Sequence, residues 1–177
     1  MEVKVKSMKK LLCFIFLIFG FLFLVSPKAE AIFSNPGSIR VYVEPHPTAF
    51  IADEAMSAWT KATAGKIKFK KVTKPGDVQI YVRFVKNIGK STNSNTIGLT
   101  HHIYANGRSL EVIEISEKAP NGRLYSRDAR LRVMIHEFGH ALGLEHSTDR
   151  KSVMYPTKGT KIISQDDVRT LKYIYGW

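Results

Sequence analysis

His136-Glu137-Phe138-Gly139-His140-Ala141-Leu142-Gly143-Leu144-Glu145-His146 is the stretch on which the reading turns. His136 and His140 are four residues apart, which on a helix puts them on one face, one turn from each other. Two imidazoles so placed can meet one metal ion at about 2.0–2.1 Å each. Gly143 permits a left-handed turn that ends the helix. The chain can then swing back and offer His146 as a third nitrogen. Three neutral imidazoles leave zinc with its charge uncancelled and one position open, and zinc held in this way acidifies water near neutral pH. Glu137 is next to His136, where its carboxylate can take a proton from water and pass it to a departing amine. Three of the six histidines of the chain fall inside this stretch. The rival reading is a helix with incidental histidines and a terminal glycine.

Working outward, a helix is expected from Arg127 to Leu142, with Ser126 as its N-cap. A last helix is expected from Gln165 to Tyr175, where Ser164 followed by Asp167 forms a helix-start box. Upstream, Ile39 to Val43 alternates as a strand, and Pro45 and Pro47 break it. Apolar residues recur at helical spacing from Thr48 to Ala64, and Gly65 is a stop. Further strands are expected at Ile67–Val72, Val78–Phe84, Thr96–Tyr104 and Leu110–Ile115. Lys86–Asn95, Asn106-Gly107 and Lys118–Arg123 read as loops and turns. The order is strand, helix, four strands, two helices, which is a single α+β domain.

The chain has 177 residues, 44% hydrophobic and 24% charged, an ordinary globular balance. Its first part is different. Lys4, Lys6, Lys9 and Lys10 precede an apolar run from Leu11 to Val25, and Ala29-Glu30-Ala31 is a small-x-small site. That order predicts a secretory signal peptide over residues 1–31 and a mature domain over 32–177. The alternative is an uncleaved membrane anchor, although the run is short for a span of about 20 residues. The only cysteine, Cys13, lies in that segment, so the mature domain must rely on packing and bound metal. Residues 1–31 carry five lysines and two glutamates, and the remainder keeps a charge of about +9. Such a surface is drawn to anionic polymers or membranes, or is simply a solvated basic face. No nucleic-acid motif is present.

The pattern HExxHxxGxxH resembles that of the metzincin zinc peptidases. Met154, in Ser152-Val153-Met154-Tyr155-Pro156, is similar to the methionine that forms a hydrophobic floor beneath the metal in that group. Several features resemble the matrixins, the metzincins that include the matrix metalloproteinases. Ser147 directly follows the third histidine. Ile163-Ser164-Gln165-Asp166-Asp167 precedes the last helix, Tyr173-Ile174-Tyr175-Gly176 closes the chain, and Gly98-Leu99-Thr100 is similar to the start of the family's edge strand. The firm resemblance covers residues 126–177. It implies a zincin-like fold: a twisted, mixed five-stranded sheet with three helices and a small C-terminal subdomain. It also implies a secreted zinc endopeptidase, monomeric, with one catalytic Zn2+ on His136, His140 and His146, and Glu137 as general base and acid. A protein or peptide substrate would lie extended along the edge strand. Calcium follows from analogy alone, since no acidic loop of EF-hand type is present.

The resemblance further implies a pocket beside the metal for the side chain that follows the cut. Arg132, Val133, Pro156 and Lys158 are its expected lining, Lys158 standing where the family has a tyrosine. Departures are also legible. The family's structural zinc needs a His/Asp cluster that Lys86–Asn95 lacks, so His101 has no partners for it. His46 and His102 are expected at the surface or beside the cleft. No cysteine is left to cap the metal, which predicts that this form of latency is missing. Asp166 and Asp167 serve either as favourable charge at a helix N-terminus or as partner for the mature amino terminus. Two other functions compete: a basic secreted zinc-binding protein without turnover, and a zinc hydrolase acting on a non-protein amide.

Overall fold

A computed structural model describes residues 31–88, 96–105, 108–119, 121–157 and 159–177. The chain divides into two units, Met1–Glu30 and Ala31–Trp177. The expected signal segment up to Glu30 therefore lies outside the described residues, as do the Asn106-Gly107 turn, most of the polar loop before the edge strand, and Lys158. No helix among the described residues is long and apolar enough to cross a membrane.

Five strands and three helices follow in the expected order. They are β1 (Ile39–Val43), α1 (Phe50–Ala62), β2 (Phe69–Val72), β3 (Ile80–Val85), β4 (Gly98–Ala105), β5 (Arg108–Ser116), α2 (Arg127–Ala141) and α3 (Gln165–Tyr175). The strands form one mixed sheet in the order β2-β1-β3-β5-β4. β1, β2, β3 and β5 run parallel, and β4 alone is antiparallel, pairing with β5 from Gly98 opposite Ile115 to Ala105 opposite Arg108. β4 is thus an edge strand.

The alternation in β1 buries Ile39, Val41 and Val43, as a strand with one face on the core must. α1 buries Ile51, Ala52, Ala55, Met56 and Trp59, a stripe at three- and four-residue steps. It begins at Phe50 rather than Thr48. The Thr48 hydroxyl is engaged with His46 Nδ1 at 2.8 Å in the preceding turn, and such local side-chain bonding competes with helix. α2 has no exposed face along its middle, since every residue from Val133 to Gly139 is buried. It runs through the centre of the domain, packed on α1 from one side and on β4 and β5 from the other. Trp59, Phe138, Met134, Ile113 and Ile115 meet there with almost no exposure, each worth roughly 1.5–3 kcal/mol on burial.

Candidate metal centre

α2 starts where the Ser126 hydroxyl accepts a hydrogen bond from Ala129 N at 3.2 Å. It ends at Ala141 with Leu142 as its cap, and the next residue, Gly143, has a φ of +96°. Gly143 N donates to His140 O at 2.8 Å and Leu144 N donates to Gly139 O at 3.0 Å. These two bonds together make a Schellman turn, which needs a left-handed residue between them. The turn has a second use: Leu144 O, now folded back, lies 2.7 Å from His140 Nδ1. His136 Nδ1 has an equivalent acceptor in Val153 O, also at 2.7 Å.

Both Nδ1 atoms must therefore carry the hydrogen, which leaves both Nε2 atoms bare. These Nε2 atoms lie 3.1 Å apart, close to the roughly 3.3 Å expected between two ligands of a tetrahedral zinc at 2.0–2.1 Å. Two lone pairs facing at that distance repel unless a cation lies between them. His146 completes the set, its ring centroid 5.3 Å from that of His136 and 4.8 Å from that of His140. Among the described residues this is the group whose ligand atoms can share one ion, all lying within 4.8 Å of one another. The donor set, three imidazoles with fixed tautomers, suits zinc. Burial pulls His136 down to about 4, and it also lowers His140, so both rings are neutral and available as ligands at pH 7.

Glu137 is buried on the same helix, with 5% exposure. Burial pushes its carboxyl up to about 7, against the opposing effect of a hydrogen bond from Thr100. It lines a cleft of about 1120 Å3 that also holds the three histidines. Arg132, Val133, Pro156 and Thr157 border the same cleft. The Arg132 guanidinium donates to Thr157 O at 3.2 Å, and burial lowers its pKa. The side chain is thus held against the segment after Met154. Three of the four expected pocket residues border the cleft, and the fourth, Lys158, is outside the described residues.

Met154 is 1% exposed and packs against Gly139. A Cβ built on Gly139 would lie 3.1 Å from Met154 Cε and 3.1 Å from Trp59 Cζ2, with Met154 Sδ closer still. The turn is held from behind. Ser152 Oγ accepts from Met154 N at 2.8 Å and donates to Asp167 Oδ1 at 2.7 Å. Asp167 Oδ2 accepts from Ser164 N, which completes the capping box of α3. Asp167 thus does more than place charge at a helix start, while Asp166 pairs with Arg169.

The remaining histidines have carboxylate partners. His102 lines the cleft and pairs with the buried Glu111. His101 reaches Glu114 at 3.3 Å. His46 is half-buried, 2.6 Å from Glu117, and stacks on Phe84 at 4.2 Å. Stacking keeps the ring in place while its two nitrogens are satisfied. Gly98, Thr100, Trp59 and the Ser152–Asp167 link carry the site's geometry, yet they were invisible as site residues. Only the edge-strand resemblance pointed near two of them.

The family model described as Matrixin matches residues 43–176. The chain is 29% identical over 135 residues to the macrophage metalloelastase of Oryctolagus cuniculus, covering 72% of this chain and 28% of that protein. It is 32% identical over 129 residues to a probable matrix metalloproteinase of Invertebrate iridescent virus 3, covering 68% of this chain and 36% of that one. It thus spans about a third or less of these relatives' length. Among solved structures, myroilysin shares the fold with a TM-score of 0.53 at 15% identity, over 80% of this chain and 85% of its own. The matching family model covers residues 43–176, and His136, His140 and His146 could hold one metal ion: the chain belongs to the matrixin family of zinc-dependent peptidases.

Proposed function

We propose that this chain is a zinc endopeptidase that hydrolyses protein or peptide substrates bound in extended form. The observation that carries the proposal is the convergence of two tautomer-fixed imidazoles and a third ring beside a buried carboxylate, all in one open cleft. His136, His140 and His146 hold the metal. When bound, zinc supplies a Lewis acid that acidifies water and polarises the scissile carbonyl. Glu137 takes a proton from the attacking water and passes it to the departing amine. A carboxyl raised by burial suits a group that must both accept and release a proton near neutral pH.

β4 supports the substrate reading. Its outer edge pairs with no other strand among the described residues, and a peptide can add to such an edge by backbone hydrogen bonds. Met154 provides a packed floor and no ligand. Arg132, Val133 and Pro156 form part of the pocket for the residue after the cut, and the Arg132 cation favours polar or acidic side chains there. Residues 1–31 direct secretion and are removed near Ala31.

Hydrolysis of unfolded casein by the purified domain, with and without a zinc chelator, tests the proposal. Activity lost on chelation and restored by zinc is the expected result. A zinc-loaded protein that leaves casein intact would instead favour a binding role.

A further inference from the structure

We infer that Thr100 is a positioning residue that, with Gly98, sets the orientation of the Glu137 carboxylate; the inference rests on the peptidase reading above. Gly98 and Thr100 are two apart on β4 and so share one face of the sheet. In the antiparallel register they stand opposite Ile115 and Ile113, both almost fully buried. That face is the one on which α2 packs.

The strand comes unusually near the helix at Gly98. A Cβ built there would lie 2.6 Å from Glu137 Oε1 and 2.7 Å from Glu137 Cγ, with Val133 Cγ1 closer still. Any side chain would displace the Glu137 carboxylate. The missing Cβ therefore lets the peptide plane of β4 form a wall against one carboxylate oxygen. The Thr100 hydroxyl lies 2.8 Å from the other, Oε2, and 3.1 Å from the backbone carbonyl of Glu137. A hydroxyl has one hydrogen to give. The nearer acceptor, when ionised, is also the stronger one. Because both acceptors belong to the same residue, the hydroxyl stays aimed at Glu137 whichever of them takes the hydrogen.

A carboxylate on a flexible side chain is thus wedged on one oxygen and tethered on the other, by two residues of a single strand. The same strand offers the free edge on which an extended substrate would pair. One rigid element then sets both the register of the peptide and the aim of the base. Small misplacement of a reacting group costs on the order of 10²-fold in rate, so this coupling would act on the chemical step more than on binding.

The test is Thr100→Val, which keeps the branched shape and removes the hydroxyl, beside Thr100→Ser, which keeps the hydroxyl. The expected result for the valine variant is a kcat lower by about 10- to 100-fold, with KM within about threefold and bound zinc unchanged. Serine should restore most of kcat. A valine variant with wild-type kcat, or a loss confined to KM, would overturn the inference. Glu137→Gln in the same assay separates the two claims. If it is inactive while Thr100→Val matches wild type, the general base stands and the positioning role falls. Crystal structures of wild type and Thr100→Val give a readout independent of turnover: the Glu137 carboxylate should rotate in the variant, and an unmoved carboxylate refutes the positioning role even if casein is never cut.

Discussion

The two sides of helix α2 make opposite uses of a close approach. Towards α1 and the methionine turn the contact is dry: Gly139 admits Met154 and Trp59, and the Trp59 indole donates to Ile135 O at 2.9 Å. Towards β4 the contact is polar: Gly98 admits the Glu137 carboxylate, and Thr100 donates to it. One glycine brings an apolar floor up to the helix, and the other brings a backbone wall up to a charge. The dry side sets where the imidazoles stand, and the polar side sets where the carboxylate points. Substitutions on the first should appear in stability, and those on the second in rate.

The largest effect belongs to the polar side. Glu137→Ala should reduce kcat by about 10²–10⁴-fold while zinc content is kept, because the three histidines are untouched. Thermal stability should not fall, since burial disfavours the ionised carboxylate that is removed. Peptide turnover, metal analysis and a melting curve on one sample check all three. A stable, zinc-bound and fully active variant would remove the chemical half of the contrast.

On the dry side, Gly139→Ala should cost about 1–3 kcal/mol, because the new methyl must push Met154 aside in a filled core. Met154→Leu is nearly volume-conserving and should cost below about 1.5 kcal/mol, with zinc retained. Chemical denaturation measures both. If Gly139→Ala lowers kcat with no loss of stability, the dry side does more than hold position. A Met154→Leu protein that binds no zinc would give the methionine a role in holding the metal.

Strand β5 offers a smaller version of the same contrast. Glu111 and Glu114 are both buried but face opposite sides of the sheet. Burial raises Glu111 and outweighs its pairing with His102. Burial also raises Glu114, but hydrogen bonds from Arg83 and His101 together bring it below the ordinary value. The signs of linkage differ accordingly. The Glu111 contribution is present below the unfolded pKa and lost as pH rises through the folded value. The Glu114 contribution is present above the unfolded pKa and lost as pH falls through the folded value. At pH 7, Glu114→Gln should therefore destabilise by about 1 kcal/mol, given that Arg83 is half exposed and screened, and the deficit should vanish in acid. Glu111→Gln should be neutral or stabilising at pH 7, with any gain also vanishing in acid. Denaturation midpoints at pH 7 and in acid below the folded value of Glu114 check the pair, and matching signs at pH 7 would contradict the assignment.

The smallest effect concerns preference and leaves overall activity in place. Arg132→Ala should shift selection towards long apolar residues just after the cut, because a guanidinium held on Thr157 O no longer occupies the cleft wall. Profiling wild type and variant on one peptide library measures this. Identical profiles would place Arg132 outside the pocket.

What the sequence by itself determined here was local. Helix α3 runs from Gln165 to Tyr175 as expected, because Ser164 and Asp167 form a box within one turn. The three ligands were legible because i, i+4 spacing and a glycine turn act within eleven residues, and the Schellman bonds at Gly143 are of that kind. Even so, α1 began two residues later than its periodicity suggested, where the bond between His46 and Thr48 prevails over helix. Tertiary structure alone decided the rest. The order β2-β1-β3-β5-β4 brings Thr100 to Glu137, 37 residues away, and α3 brings Asp167 to Ser152, 15 residues away. A threonine on an alternating strand has no periodic signature that names its partner. Which strand lies against the buried helix is settled only when the sheet forms, and with it the choice of glycine where no Cβ would fit.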